Sequence, residues 1–386
     1  MSKTKVKWVN FLHFYLPPHS DEYTVREAAE KSYLWLIKMA KQNRRFVFTF
    51  NITACLTELL IEYGYEAIIK DLSKLIKRGQ LELVDSLAFH PLTPLLPPSE
   101  ITRQIKLNQK INRSHFGIKA KGFFLPEMAY SPAVGKIIAS LKYNWLILDE
   151  IALSGKRGFV DWQTKYILKK TNLKIVFRSW YWSKDYVPRR ITHHHKENNL
   201  PQIIVSATDA ELYGLRFADE KNWLNQALNI PYLLPLTISN YLRGLKKIQP
   251  ISPISSNWES LEQEIKQGIP YALWRHPRNK IQQQLWQLAK IAWQNINKHT
   301  NYHNYFWARR HLDWGLASCT FWWASDRDFR LLGPPAWKPD EVERGATELI
   351  KSIRTLPLSP STKIKAEKIF HQIKQELWIK HWRKYG

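Results

Sequence analysis

Cysteine is scarce: Cys55 and Cys319 are the whole complement of the 386 residues, and neither has a Cys-x-x-Cys partner. That excludes a disulfide framework and a thiolate zinc site, and it points to a reducing compartment. Long apolar stretches are missing too. The segment MSKTKVKWVNFLHFYLPP begins basic, like a secretory leader, but Asn10 and His13 interrupt its apolar part and no small-residue cleavage site follows. Elsewhere there is no apolar run of the roughly 18 residues a membrane span needs. A soluble, cytoplasmic protein without a membrane partner is expected. Nucleotide signatures are absent as well: no G-x-G-x-x-G follows the first strand-like run, and no G-x-x-x-x-G-K-[ST] occurs.

Acidic residues are few, 33 against 58 Lys and Arg, leaving a net charge of +25. Such a balance favours polyanionic partners when the cations are massed on one face. Here they are scattered and accompanied by acids, as in EAAEK and LEQEIKQ; only VPRRITHHHK and the terminal IKHWRKYG are locally basic. Nucleic acid is therefore not the expected partner. Aromatics are abundant instead, with 18 Trp, 17 Tyr and 16 Phe. They serve either as core filling or as flat platforms for sugar rings or bases.

The first half repeats one unit: an apolar, β-rich run, a polar residue, a loop and an amphipathic helix. The runs lie at 7–16, 44–51, 81–87, 121–126, 144–150, 174–179 and 202–209. Most are continuously apolar, as strands covered on both faces of a parallel sheet must be. Helices are expected between them at 24–42, 53–79 and 99–112, the second ending at a glycine. Seven alternating units predict an α/β fold: a TIM-barrel-like seven-stranded (β/α) barrel over residues 1–255, with an open doubly wound sheet as the alternative that the missing nucleotide signatures disfavour. From 256 to 386 the segments read as helices, divided by Pro-Pro at 334 and 335 and by PLSPS at 357–361, and a C-terminal α-helical domain packing on the barrel is expected. Its Trp307, Trp314, Phe321, Trp322 and Trp323 are expected to pack in a core or to form part of a sugar-binding wall.

In a barrel the chemistry gathers at the C-terminal ends of the strands, where the loops converge on one cup. Those ends carry His13, Asn51, Asp85 with His90 shortly after, Glu127, Asp149 with Glu150, Arg178, and Asp209 with Glu211; Trp180 and Trp182 lie just past the sixth strand. Glu127 and Asp209 could face each other across such a cup, and two facing carboxylates suit glycoside hydrolysis, one as nucleophile and one as acid and then base, roughly 5 Å apart in retaining enzymes. Whichever of the two acts as the acid then needs a raised pKa, from burial and from the charge of its partner.

At these residues the sequence resembles glycoside hydrolase family 57, which acts mainly on α-glucans. The resemblance rests on HFYLP (13–17), GQLELVDSLAFHPLTPLL (79–96), GFFLPEMAYSP (122–132) and ATDAELYG (207–214), with IPYALWRHPRNKI and HLDWGLASCTFWWAS downstream. It implies a seven-stranded β/α barrel followed by helices, Glu127 as nucleophile, Asp209 as acid/base, and a carbohydrate substrate without a cofactor. His13, His90, Asn51, Arg178, Trp180, Trp182 and Glu211 are the expected substrate contacts. There are departures. Tyr15 replaces the second histidine of the family's His-x-His-x-Pro, and Leu215 stands where a histidine often follows Tyr213 and Gly214, which bears on substrate choice more than on chemistry. The chain is short for the family, so a reduced set of subsites is expected.

The run His193, His194 and His195 invites a metal reading, but adjacent residues in a loop do not converge on one ion, and no metal site is expected. Two other readings remain open: a metal-dependent carbohydrate deacetylase on a related barrel, which needs an Asp and two closely spaced His, and a non-catalytic protein binding polyanions or carbohydrate through its basic surface.

Overall fold

The computed structural model describes residues 5–325, 327 and 336–385. The expected Pro-Pro break at 334 and 335 lies outside the described residues. Among the described residues ten strands form: β1 (Val6–Phe14), β2 (Phe48–Ile52), β3 (Leu81–Val84), β4 (Gly122–Phe124), β5 (Trp145–Asp149), β6 (Thr164–Leu168), β7 (Lys174–Arg178), β8 (Ile203–Asp209), β9 (Leu233–Leu236) and β10 (Lys247–Ile251). Seven of them match the expected apolar runs. The other three, β6, β9 and β10, do not follow the repeating unit: β6 and β10 mix polar with apolar residues, and β9 and β10 contain Pro235 and Pro250, which suit strand edges.

The chain divides into two compact units. The first holds the chain up to Leu16, Ser20–Ala88 and Thr93–Ile265; the second holds Pro17–His19, Phe89–Leu92 and everything from Lys266 onward.

In the first unit the strands form two five-stranded sheets. One runs β3-β2-β1-β8, with β9 also on β1, and every pair in it is parallel. The other runs β10-β6-β7-β5-β4, parallel except for the antiparallel β6–β7 pair. The expected closed seven-stranded barrel is thus not what the strand pairing among the described residues shows. Between the sheets the hydrogen bonding thins to isolated links. Asp85 N donates to Gly122 O at 3.1 Å and Phe124 N to Asp85 O at 2.9 Å, while Ser179 N donates to Val205 O at 2.8 Å. A physical reason is visible at β4: only three residues long, it meets Pro126, which has no N–H to extend a ladder.

Side chains alternate across β1 as a strand requires. Trp8, Leu12 and Phe14 join one core with the surrounding helices, whereas Val9 and Phe11 join another. That second core also takes Val84, Phe124, Trp145, Ile147, Val176, Val205 and Ala207, so strands of both sheets share it. The expected helix at 24–42 contains a π-helical stretch, Ala29–Tyr33, between Glu22–Ala28 and Leu34–Gln42. The expected helix at 53–79 splits at Gly64 into Ala54–Glu62 and Glu66–Lys77. The third runs Pro98–Phe116 and stops at Gly117 in the left-handed conformation.

The second unit is helical: Lys280–Ile296, Tyr305–Gly315, Ser318–Trp322, Pro339–Thr355 and the long Pro360–Tyr385. Helix Tyr305–Gly315 packs against Pro339–Thr355 at Gly315, where a Cβ would stand 2.7 Å from Leu349 Cγ. His311 bonds Glu348 at 2.6 Å across the same pair. No helix among the described residues is long and apolar enough to cross a membrane.

Candidate active site

Parallel pairing sets the site, because it brings the ends of β1, β2 and β8 level. In register, His13 lies beside Asn51 on one side and Asp209 on the other. His13 Nδ1 meets Asn51 Oδ1 at 2.9 Å, and the imidazole rests on Phe124, with ring centres 4.7 Å apart, and stacks on Tyr15 at 5.6 Å. Burial lowers the His13 pKa, against the opposing pull of the Asp209 charge, so this ring is neutral near pH 7. Asn51 is fully buried, and its Nδ2 finds no acceptor among the described residues.

Glu127 sits just after β4, in backbone that few residues tolerate. Its φ is 58° and that of Met128 is 47°, two consecutive left-handed residues without a glycine. Such conformations cost of order 1–3 kcal/mol each and persist only where the surroundings impose them. Here Met128 N is tied to Leu125 O, Ala129 N to Pro126 O, and Tyr130 exchanges both backbone bonds with Ser256. The segment around Ser256 also supplies Trp258, whose indole Nε1 donates to Glu127 Oε2 at 3.0 Å while its amide donates to Glu127 O at 3.1 Å.

Trp258 is in turn held by Arg178. The guanidinium carbon lies 5.0 Å from the centre of the Trp258 ring, and Nη2 donates to Trp258 O at 3.0 Å. Nη1 donates to Ala207 O at 3.0 Å and Nε to the buried Asp149 at 2.8 Å, in register across β5 and β7. Arg178, an expected substrate contact, gives three of its donors to Asp149, Ala207 and Trp258, in a chain running Asp149, Arg178, Trp258, Glu127. Because the edge of Trp258 also meets His13, with ring centres 6.0 Å apart, this chain and the β1–β2–β8 group share one neighbourhood.

Asp209 Oδ2 accepts from Arg216 Nη1 at 2.7 Å. The Glu211 carboxyl is pushed upward, to about 7: burial is the main cause, the Asp209 charge adds to it, and Arg216 opposes it. Tyr33, delivered by the π-helical stretch, donates its hydroxyl to Glu211, and Ser32 donates to Ala210 O at 2.8 Å. π-bulges recur at functional sites because they turn side chains off the regular helical face. Gly214 has φ +90°, and a Cβ there would lie 2.0 Å from Lys31 O; only glycine lets the loop after β8 come that close.

Trp180 is half-buried past β7, with Arg157 5.0 Å and Lys184 4.7 Å from its ring centre. Trp182, expected beside it as a platform, is buried in the core against His194. Glu150 accepts from Trp180 N and from Gly158 N, both at 2.7 Å, which makes it a loop staple. His90 falls in the second unit, where its Nδ1 meets Ser318 Oγ at 2.9 Å. His193, His194 and His195 lie on a helix, Val187–Lys196, not in a loop. Successive helical residues point apart, and the three engage Trp223, Tyr181 and Tyr232 respectively. Among the described residues no group of three or more His, Cys, Asp or Glu is placed to hold a metal ion. A basic surface depression of about 410 Å³, lined by Lys106, Gln109, Lys110, Arg113 and Ser114, is not part of this site.

Sequence reasoning missed Trp258, Arg216 and Tyr33. Trp258 and Tyr33 carried no local signal, being 131 and 178 positions from the residues they bond. Arg216 stands only seven after Asp209 and was within reach of closer attention to that motif.

The architecture is an α/β unit with carboxylates and aromatics gathered at the ends of parallel strands, accompanied by a helical unit. The chain belongs to glycosyl hydrolase family 57, whose model matches residues 7–226. It is 27% identical over 282 residues to an alpha-amylase of Pyrococcus horikoshii, covering 67% of this chain and 43% of the amylase. A shorter stretch of 67 residues is 43% identical to a 1,4-alpha-glucan branching enzyme of Thermococcus kodakarensis, covering 17% of this chain and 10% of that enzyme. The chain spans less than half the length of the curated relatives it matches. Among solved structures, 4-alpha-glucanotransferase from Thermococcus litoralis superposes with a TM-score of 0.70 at 16% identity, over 92% of this chain and 61% of that one. A family 57 branching enzyme from Pyrococcus horikoshii gives 0.67 at 16% identity, over 95% and 94%.

Proposed function

We propose that this chain is a retaining glycoside hydrolase or transglycosylase acting on an α-glucan or a related oligosaccharide, with Glu127 as nucleophile and Asp209 as acid/base. The observation that carries it is Glu127 itself: a carboxylate on strained left-handed backbone, aimed by an indole N–H, in the neighbourhood of the His13–Asp209 pair. Strain of this kind is retained where function needs a side chain in one place. Membership of the family and the names of its relatives supply the substrate class.

In the first step Glu127 attacks the anomeric carbon while protonated Asp209 gives its proton to the leaving oxygen. In the second, Asp209 takes a proton from water or a sugar hydroxyl, which displaces Glu127 from the anomeric carbon. His13, held by Asn51, meets a sugar hydroxyl, and Trp180 offers a ring face. Arg178 and Trp258 position the nucleophile, and Glu211 acts behind Asp209. We read the two sheets as a ring in the order β1, β2, β3, β4, β5, β7, β8, supported by the Asp85 and Ser179 links and by the core they share. The two cysteines, both free and buried, support a cytoplasmic setting.

The test is trapping. Incubation with 5-fluoro-α-glucosyl fluoride, followed by peptide mass spectrometry, should place one glycosyl adduct on Glu127. A label on another carboxylate, or none while substrate is turned over, overturns the assignment.

A further inference from the structure

The loop after β8 is wound tightly on itself. Tyr213 N bonds Ala210 O at 2.9 Å, Gly214 N bonds Phe217 O at 3.0 Å, and Arg216 N bonds Glu211 O at 2.8 Å. That winding brings the Arg216 side chain back onto Asp209, where Nη1 holds Oδ2 at 2.7 Å. Arg216 is half-exposed, 49%, against 26% for Asp209, so the pair stands at the open side of the group while Glu211 is buried behind it.

We infer that Arg216 is a positioning residue for the acid/base step: by occupying Oδ2 of Asp209 it leaves Oδ1 as the oxygen that exchanges the proton with the glycosidic oxygen. This rests on the reading of Asp209 as acid/base. The groups facing the pair are His13 from β1, Tyr33 from the π-helical stretch and Glu211 from the same loop. His13 is neutral, and the Glu211 carboxyl is shared with the Tyr33 hydroxyl. Arg216 is thus the cation that faces Asp209 from within this cluster. Its guanidinium also opposes the rise in the Glu211 pKa, so one side chain governs both neighbouring carboxyls. A charge-assisted bond from a planar guanidinium fixes direction as well as charge, which a lysine at the same place does only in part. The proton balance is simple: Asp209 Oδ1 gives its proton as the bond from anomeric carbon to oxygen breaks, and Arg216 keeps all of its own.

The experiment compares leaving groups. Arg216→Gln and Arg216→Lys are assayed for kcat/KM on maltoheptaose, whose leaving oxygen needs a proton, and on α-maltosyl fluoride, whose leaving group needs little. Arg216→Gln should lose about 10- to 100-fold on maltoheptaose, at or below the roughly 10² that loss of the acid itself costs at least, and less than about 3-fold on the fluoride. Arg216→Lys, which keeps the charge but not the fork, should fall between and carries the test if the glutamine variant does not fold. Equal losses on both substrates, or none on either, overturn the inference. Wild-type protein that cleaves the substrates and labels at Glu127 while the variants match it refutes Arg216 alone. Wild-type protein that neither cleaves nor labels refutes the parent reading and this one with it.

Discussion

Replacing Glu211 by glutamine gives the most direct check on the electrostatics of this site. Glu211 is 3% exposed, and its carboxyl is raised from an ordinary 4.5 to about 7, chiefly by burial and then by the Asp209 charge. At about 1.4 kcal/mol per pH unit that rise amounts to about 3 kcal/mol. The sign follows from proton counting. Between about pH 4.5 and 7 the folded chain keeps a proton that the unfolded chain has released, so stability falls as pH rises through that window and levels off above it. Glutamine cannot ionise, yet its Oε1 still accepts from the Tyr33 hydroxyl, so packing and hydrogen bonding are kept while the pH-dependent cost disappears. The variant should therefore equal wild type near pH 4 and exceed it by about 3 kcal/mol at pH 8. With an unfolding entropy of about 2 cal/mol/K per residue over the whole chain, that corresponds to a rise in Tm of about 4 °C. Thermal unfolding of both proteins at the two pH values is the assay. A gap that is the same at both, or that favours wild type at pH 8, refutes a buried Glu211 with a raised pKa.

Three further outcomes are expected. Trp258→Phe keeps the ring against Arg178 and His13 but deletes the N–H on Glu127, and kcat/KM on maltoheptaose should fall by about 10- to 100-fold, the worth of a hydrogen bond to a charged group; an unchanged rate removes Trp258 from the positioning chain. Asp209→Asn should cost about 10² to 10⁴ in turnover of the same substrate, and added azide should restore turnover of α-maltosyl fluoride as a glycosyl azide; full activity without azide sinks the acid/base role. Gly214→Ala forces a side chain into positive φ and onto Lys31 O, so urea denaturation should show a loss of at least about 2 kcal/mol; a neutral result means the loop has room that this geometry denies it.

Much of this protein is written in local pattern. The apolar runs that became β1 to β5, β7 and β8 declare themselves because parallel strands covered on both faces need unbroken apolar sequence, and their polar ends mark where the strands meet the loops. His13, Asn51, Glu127 and Asp209 were legible for that reason: each stands at or just past such an end, and register does the rest. What the pattern could not carry was relation. Whether the strands form one ring or two sheets depends on hydrogen bonds between β3 and β4 and between β7 and β8, and nothing in either run announces how many will form. A π-helical stretch looks like helix in sequence, yet it decides that Tyr33 reaches Glu211. The raised carboxyl of Glu211 could not be read from sequence either, because burial and the Asp209 charge act on it through space. Periodicity reports which face of an element is covered. Only the tertiary structure decides which side chains, brought from 131 or 178 positions away, stand against a given carboxylate and so set its direction and its proton.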